Sequence, residues 1–510
     1  MHAQVGARFA LAAAAVVAIG AVTTCQGEAG NPGPATSTVS STASLGGSGG
    51  LGPVGGTMNG SGELPCPSTT IPELALDQGA DAQLVPKIET NGSYGVTWVA
   101  WYSQVAGGYE LRLQRVDLEG VTQLGDHGLL VSAEPTDPSA GDFALVADQG
   151  FSAVVALSDG RSGHPDVVAN RFAWDGTPLW GTDGVALAPS PLDGLLPRAV
   201  ATDLGDLVFA WERFDASGSV HEIVLQRVTP DGAMSWGDGI VLQGQGGMLA
   251  VRPQLVSAGV DVIVVWEETP DPASTDRSLW ARRIDPLGAP RWGADTLVSS
   301  GQQLSALSDP VLQRGLGTDL YVMWPVIADG VRQTAYAQRL DIDGAPSWPT
   351  GGVPISTSPT TQQLHPRLSW DLSDDDGVVI AWVEANMSET QHGIFAQRVT
   401  VDGAAEWPTT GLEVVPLSDT QVDVAAVRKS GNAAMLFLSE QSLGNGSDVR
   451  ILAGRLDFTA SPAWDPQVLS GLQGSKPHLA VSSRAVCGYW MAWQDLRADP
   501  GDIYAASFVP

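Results

Sequence analysis

From residue 84 onward the chain repeats itself about every 56 residues, and a period of that length limits the fold more than any other feature of the sequence. The sharpest marker is an Arg inside an apolar run: Arg115, Arg171, Arg227, Arg283, Arg339, Arg398 and Arg455. These positions step by 56, 56, 56, 56, 59 and 57 residues. A turn and then a Trp follow the Arg: Asp175-Gly176 before Trp180, Asp231-Gly232 before Trp236, Asp343-Gly344 before Trp348, and Asp402-Gly403 before Trp407. Trp292 and Trp464 occupy the same slot behind altered turns. The third marker is an apolar run ending at Trp101, Leu157, Trp211, Trp266, Trp324, Trp382, Leu438 or Trp493.

Each unit reads as four short strands, a to d, with no helical pattern. Strand a starts near a Pro, as in Pro86-Lys87-Ile88 and Pro366-Arg367-Leu368. Strand b ends at the aromatic marker, and strand c alternates with period two, as in Ile394-Phe395-Ala396-Gln397-Arg398-Val399. Asp-Gly is a hairpin signal between c and d. Four strands in about 56 residues fit a β-propeller blade, whereas an immunoglobulin-like domain needs seven strands and more chain. Units begin near residues 86, 142, 197, 253, 310, 366, 424 and 477. The eighth stops after strand c, and Ile71-Pro72-Glu73-Leu74-Ala75-Leu76 at the other end supplies the missing strand d. The expectation is an all-β, eight-bladed β-propeller of four-stranded blades over residues 65–510, its last blade completed by the N-terminal strand, leaving no free sheet edge.

Residues 1–25 read as an export signal, with Arg8 followed by an apolar stretch from Phe9 to Val22. Val22-Thr23-Thr24-Cys25 resembles a bacterial lipoprotein signal, which implies lipidation of Cys25; an ordinary secretory signal cut near Gly20 or Ala21 is the alternative. Either places the chain outside the cytoplasm: an outer-membrane or cell-surface lipoprotein, otherwise periplasmic or secreted. Residues 26–64 form a Gly/Ser/Thr/Pro segment with too little apolar surface to order, a flexible tether. The 26 Lys and Arg against 56 Asp and Glu give a net charge of −30, which argues against nucleic acid and leaves a lipid anchor as the route to a membrane. A monomer is expected.

The recurring Trp and Arg residues keep one period, so a repeated structural role is the expectation for both. The turn Thr229-Pro230-Asp231-Gly232-Ala233-Met234-Ser235-Trp236 resembles the Asp-box of sialidase-type propellers, a turn-stabilising device with no chemistry of its own. Trp493-Gln494-Asp495-Leu496-Arg497 with Asp502-Ile503-Tyr504-Ala505 resembles the repeat unit of a family of uncharacterised bacterial secreted propellers, whose function is unassigned. No metal-spaced His pair, phosphate loop or Ser-His-Asp motif stands out, so no catalytic residue is assigned. No cofactor is expected beyond Ca²⁺ at Asp371-Leu372-Ser373-Asp374-Asp375-Asp376-Gly377 as an alternative to a solvated hairpin.

The b–c loops are long and polar and share a face with the d–a connections. They carry Asp159, Arg161 and His164 in one unit and Asp495 and Arg497 in another. Strand a adds Lys87, Arg198, Arg367 and His478 just after its Pro, around the central channel; a locally basic channel mouth able to hold a small anion or carboxylate is the expectation, pairing with nearby acids the alternative. The functional expectation is a non-enzymatic propeller binding a protein or glycan through its b–c face; the alternative is a secreted glycan-acting hydrolase or lyase. Finally, Cys66 precedes the closing strand and Cys487 lies in the same blade, so a disulfide across the 420 residues between them would fasten the ring, with a chain-entropy contribution of about 5 kcal/mol.

Overall fold

The computed structural model describes residues 70–509 apart from short segments at 92–95, 136, 139–141, 216, 218–219, 273, 306–308, 316–317, 371–376, 430–432, 442–447, 459–463, 472, 485–487 and 498–500. Cys25, Cys66, Cys487 and all but Gly377 of the Asp371–Gly377 loop lie outside the described residues.

The described strands form eight antiparallel four-stranded sheets, each ordered a-b-c-d. The a strands are Gln83–Thr90, Phe143–Ala147, Asp193–Ala201, Leu249–Ala258, Val311–Arg314, Thr361–Trp370, Val422–Lys429 and Ala480–Arg484, for blades 1 to 8. Each a strand touches the a strand of the next blade, and blade 8 touches blade 1, so the a strands ring a central channel. Blade 8 pairs strand b, Gly488–Asp495, with strand c, Asp502–Phe508, and strand c with Ile71–Asp77 from the other end of the chain. The N-terminal strand thus completes the last blade, as the sequence indicates. Among the described residues the exception to all-β structure is a 3-10 turn at Gln245–Gly247.

The periodic residues hold blade to blade. The strand-b residues Trp101, Trp211, Trp266, Trp324, Trp382 and Trp493 are fully buried between sheets. The second Trp series reaches across to the following blade. Trp180, Trp236, Trp292 and Trp348 donate their indole N–H to the carbonyl oxygens of Pro230, Pro286, Ile342 and Val401, at 3.1, 3.0, 3.0 and 2.8 Å. Each acceptor sits two residues before the Gly of the next c–d turn. Gly232 has φ +92°, and a Cβ there would lie 2.9 Å from Trp180, so both the turn and the close approach require glycine. At the ring closure Ile71 takes this place against Gly120, 3.1 Å from where its Cβ would be.

In blades 2 to 5 the recurring Arg pairs with the acid of its own a–b hairpin: Arg171 with Asp148, Arg227 with Asp206 and Arg283 with Asp261, at 2.6, 2.7 and 2.8 Å, and Arg339 with Asp319, whereas Arg398 and Arg455 pair with Glu406 and Asp457. The amide residue before each Arg fixes the second Trp. Gln226, Gln338 and Gln397 accept from the backbone N–H of Trp236, Trp348 and Trp407 at 3.1, 2.9 and 3.0 Å. This amide repeats with the Arg in the sequence, yet only the fold shows what it caps.

Candidate functional site at the channel mouth

Strand a is irregular where it meets the channel. Register shifts interrupt its pairing between Leu84 and Lys87, Leu195 and Arg198, Val251 and Gln254, and Leu364 and Arg367. Inside these bulges Val85, Leu196, Arg252 and His365 adopt positive φ, 51°, 57°, 58° and 48°. Left-handed backbone at non-glycine residues costs about 1–3 kcal/mol each, and such bulges re-aim side chains at functional rims. Each of the four is followed by a Pro, which fixes the next φ and sets the bulge in sequence.

The register also places the sequence candidates. Lys87, Arg198 and Arg367 each pair with the residue before the strand-b aromatic, that is Ala100, Ala210 and Ala381. In blade 8 that position belongs to Ala480, opposite Ala492. His478 is two residues earlier with φ 58°, so it corresponds to the bulge residues Arg252 and His365 although it too follows a Pro. In blades 2 and 7 the inner position belongs to Ala144, opposite Ala156, and Ala426, opposite Phe437.

On the side of blades 1 to 5 the cations are neutralised in a connected chain. Lys87 Nζ lies 2.9 Å from Asp142, and Arg198 bridges Asp142 at 3.4 Å to Asp309 at 3.0 Å. Arg252 Nε meets the other oxygen of Asp309 at 2.9 Å, and its Nη1 meets Glu267 at 3.2 Å. Arg277 completes the pairing of Glu267 at 2.6 Å. Asp142 and Asp309 both come from d–a connections at the start of strands a, so the network spans the mouth from blade 1 to blade 5. Burial alone would raise the Asp309 carboxyl; Arg252 and Arg198 outweigh it and hold the pKa low.

The side of blades 6, 7, 8 and 1 differs. Buried Arg367 donates from Nε to the Ala425 carbonyl at 3.1 Å and from Nη1 to Pro366 at 3.2 Å. Half-buried Arg428, on strand a of blade 7, donates to Val427 and to Val481 in blade 8, both at 3.5 Å. Among the described residues neither has a carboxylate within ion-pair distance. Asp423, the acid whose charge acts on Arg367, is held by His365 at 3.0 Å. Glu89, only 6% exposed, has no hydrogen-bond partner among the described residues. Its burial pushes the carboxyl pKa up to about 8, against the opposing charges of Arg428 and Lys87. Burial likewise lowers the Lys87 and His478 pKa values, Asp142 opposing in both cases. On the other side of blade 1, the phenol oxygen of buried Tyr102 has no hydrogen-bond partner among the described residues; its ring packs on Phe143 of blade 2, and burial and the charge of Asp142 raise its pKa. Glu89, Tyr102 and Arg428 lie in apolar alternations and carry no motif, so nothing short of the ring closure brings them out.

The b–c candidates are turned inward on one another. Arg161 forks onto Asp159, 2.8 Å from Nε and 2.7 Å from Nη2, and Arg497 forks onto Asp495 at 2.9 and 2.6 Å. Arg497 also reaches Glu73 on the N-terminal strand at 2.7 Å. His164 Nδ1 is 3.1 Å from the Pro165 carbonyl oxygen and 3.9 Å from Asp193. These groups brace the ends of strand b, and the structure does not bring them together with the channel cluster.

No family model matches the chain, and no curated protein does. Solved structures do resemble it. A protein of unknown function from Dyadobacter fermentans DSM 18053 is 11% identical with a TM-score of 0.40, covering 86% of this chain and 98% of its own. A polysaccharide lyase, an ulvan lyase bound to -[GlcA(1-4)Rha3S]-, is 11% identical at 0.47, covering 86% and 95%. An α-L-arabinanase from Penicillium chrysogenum complexed with arabinobiose is 10% identical at 0.39, covering 86% and 98%. At such identities the likeness concerns the course of the chain and leaves the chemistry to the residues described above.

Proposed function

We propose that the chain is an exported propeller that engages an anionic glycan at the channel mouth on its b–c face. The leader-like residues 1–25 support export. The observation that carries the ligand class is the charge balance of the channel. In a chain of net charge −30, strand a sets Lys87, Arg198, Arg252, Arg367 and Arg428 along the channel wall; the first three are paired with acids, Arg367 and Arg428 have no carboxylate within ion-pair distance among the described residues, and Glu89, unpartnered among them, is held neutral below about pH 8. A long polar chain crossing a wide ring with cations on its wall makes many weak contacts and orients by its charges. The inward pairing of Asp159 with Arg161 and of Asp495 with Arg497 supports the channel over the outer b–c loops as the place of contact.

Turnover of that glycan is the second reading, and Glu89 favours it. A carboxyl protonated at neutral pH beside Lys87, an amine of lowered pKa, is the kind of acid–base pair that a hydrolase or lyase needs. The test is to incubate the chain from Cys25 onward with polygalacturonate and with neutral galactan. Retention of the acidic polymer alone supports the binding reading. Release of reducing ends or of unsaturated uronide adds turnover. Equal retention of both polymers, or of neither, overturns the proposal.

A further inference from the structure

We propose that His221 is the base of a β-elimination on an acidic glycan, acting on the b–c face where blades 3 and 4 meet, with Glu212 as its positioning residue. The inference rests on the turnover reading and gives it a reaction: cleavage of a 4-linked uronate chain through loss of the C5 proton.

Strand b of blade 3 ends at Phe214 and strand c begins at His221, directly opposite it. Glu212, two residues before Phe214 and on the same face of the sheet, is 6% exposed. Its Oε2 lies 2.5 Å from His221 Nε2, and its Oε1 accepts the backbone N–H of Arg252, in strand a of blade 4, at 2.7 Å. The channel wall thus fixes the carboxyl, and the carboxyl fixes the imidazole, whose ring also lies 5.3 Å from that of Phe214. Burial alone would raise the Glu212 carboxyl; the bonds from His221 and from the Arg252 N–H outweigh it and keep the group ionised. A carboxylate only accepts, so Nε2 carries the ring proton and the lone pair stands on Nδ1. Nδ1 has no partner among the described residues, and the side chain keeps 12% of its surface open. A bare imidazole nitrogen oriented by a buried carboxylate is built to take a proton.

Other groups at this end of the ring are committed. Lys87 is bonded to Asp142 and to the Phe143 carbonyl. Glu267 gives one oxygen to Arg252 and the other to Arg277. Asp309 gives one oxygen to Arg252 and the other to Arg198 and Gln254. These carboxyls leave no free acid and base for hydrolysis across a glycosidic bond, so abstraction of an acidic C–H fits the site better. His127 and His365 also meet acids, Asp77 and Asp423, but their side chains are 61% and 48% exposed, and water competes for both bonds.

The step balances with water alone. His221 Nδ1 takes the C5 proton, next to the uronate carboxylate. The C5–H electron pair becomes the C4=C5 double bond, and the C4–O4 bond breaks. O4 leaves with its electron pair and takes a proton from water; His221 returns its own proton to the hydroxide.

The chain from Cys25 onward is incubated with polygalacturonate, and the unsaturated uronide is followed by its absorbance. His221→Ala is expected to lower the rate at least a hundredfold, to keep affinity for trigalacturonate within threefold, and to regain activity when free imidazole is added. Glu212→Gln is expected to lower kcat with little change in KM, and His127→Asn to match the native protein. Diethyl pyrocarbonate treatment of the native protein, read by mass spectrometry, tests the site without a substitution: trigalacturonate is expected to protect His221 and not His127. A rate in His221→Ala within threefold of native overturns the base. Loss of rate without rescue by imidazole, or no protection of His221, gives the residue a structural role and also overturns it. Retention of polygalacturonate over neutral galactan with no unsaturated product overturns the base and leaves the binding reading standing. Equal retention of both polymers, or of neither, overturns both.

Discussion

The carbonyl oxygen of Pro230 in blade 3 accepts the indole N–H of Trp180 in blade 2 at 3.1 Å, and the same oxygen takes Arg171 Nη1 at 2.8 Å. One backbone atom thus receives both periodic side chains of the preceding blade. Arg171 is in turn held by Asp148. Arg283 and Trp292 share the Ile342 carbonyl oxygen in the same way, so Trp, Arg, hairpin acid and turn Gly form one linked unit at these two blade junctions, and the sequence markers keep step with each other there.

Gly232→Ala tests the unit. The new methyl would lie 2.9 Å from Trp180 on a backbone of φ +92°. Gly330→Ala has a similar backbone, φ +77°, with nothing within 4 Å. Both substitutions strain the backbone, by about 1 kcal/mol, and Gly232→Ala adds overpacking of about 1–3 kcal/mol. Urea denaturation is expected to show the larger loss in Gly232→Ala. Equal losses would mean that the Trp contact contributes nothing.

Closure of the ring depends on a strand from the far end of the chain. Ile71–Asp77 pairs with Asp502–Phe508, and Glu73 is gripped by Arg497 and by the Ser470 hydroxyl of blade 7. A chain beginning at residue 79 leaves strand c of blade 8 as an open edge. It is expected to aggregate in size-exclusion chromatography, and a peptide of residues 68–79 added during refolding is expected to restore the monomer. A monomeric truncated chain with native unfolding cooperativity would contradict this.

Much of the fold is legible in the sequence because periodicity forces similar residues into similar places. Blade number, strand order and the closing strand follow from it. The channel rim is where periodicity is broken, and there the sequence informs least. Positive φ at Val85 or Leu196 is against the conformational preference of those residues, so no propensity announces it. The bulges shift register, which is why Pro477 suggests His478 for an inner position that Ala480 holds. The partners of Lys87 and Arg198 are Asp142 and Asp309, two residues before the inner positions Ala144 and Val311, where other blades carry Val85, Leu196, Arg252 or His365, so the residue type there does not repeat. The pairing of Arg161 with Asp159 and of Arg497 with Asp495 is only two residues apart in sequence, yet polar loops invite a binding interpretation before the geometry is known.

Arg161→Ala and Arg497→Ala are accordingly expected to lower stability and leave ligand affinity unchanged. Each substitution strands a buried carboxylate, Asp159 or Asp495, at a cost of roughly 1–3 kcal/mol. The arginine forks hold both acids below their ordinary pKa against the opposing effect of burial. Stability from a depressed carboxyl pKa is present above the unfolded value, about 3.9, and is lost as pH falls through the folded one. The difference in denaturation midpoint between native and variant proteins should therefore shrink below about pH 4. A gap independent of pH would assign the loss to packing instead.

Glu89 has the opposite sign. Its pKa rises from 4.5 to about 8 on folding, so the folded chain holds a proton that the unfolded chain releases above pH 4.5. Stability from this group is complete below pH 4.5, declines as pH rises, and is fully lost once pH passes about 8. Glu89→Gln keeps the shape and removes the titration. It is expected to match the native protein near pH 4.5 and to exceed it by a few kcal/mol above pH 8, at about 1.4 kcal/mol for each tenfold change in proton affinity between the unfolded and folded chain. Parallel stability curves for the two proteins from about pH 5 to about pH 9 would show that Glu89 ionises freely in the folded chain.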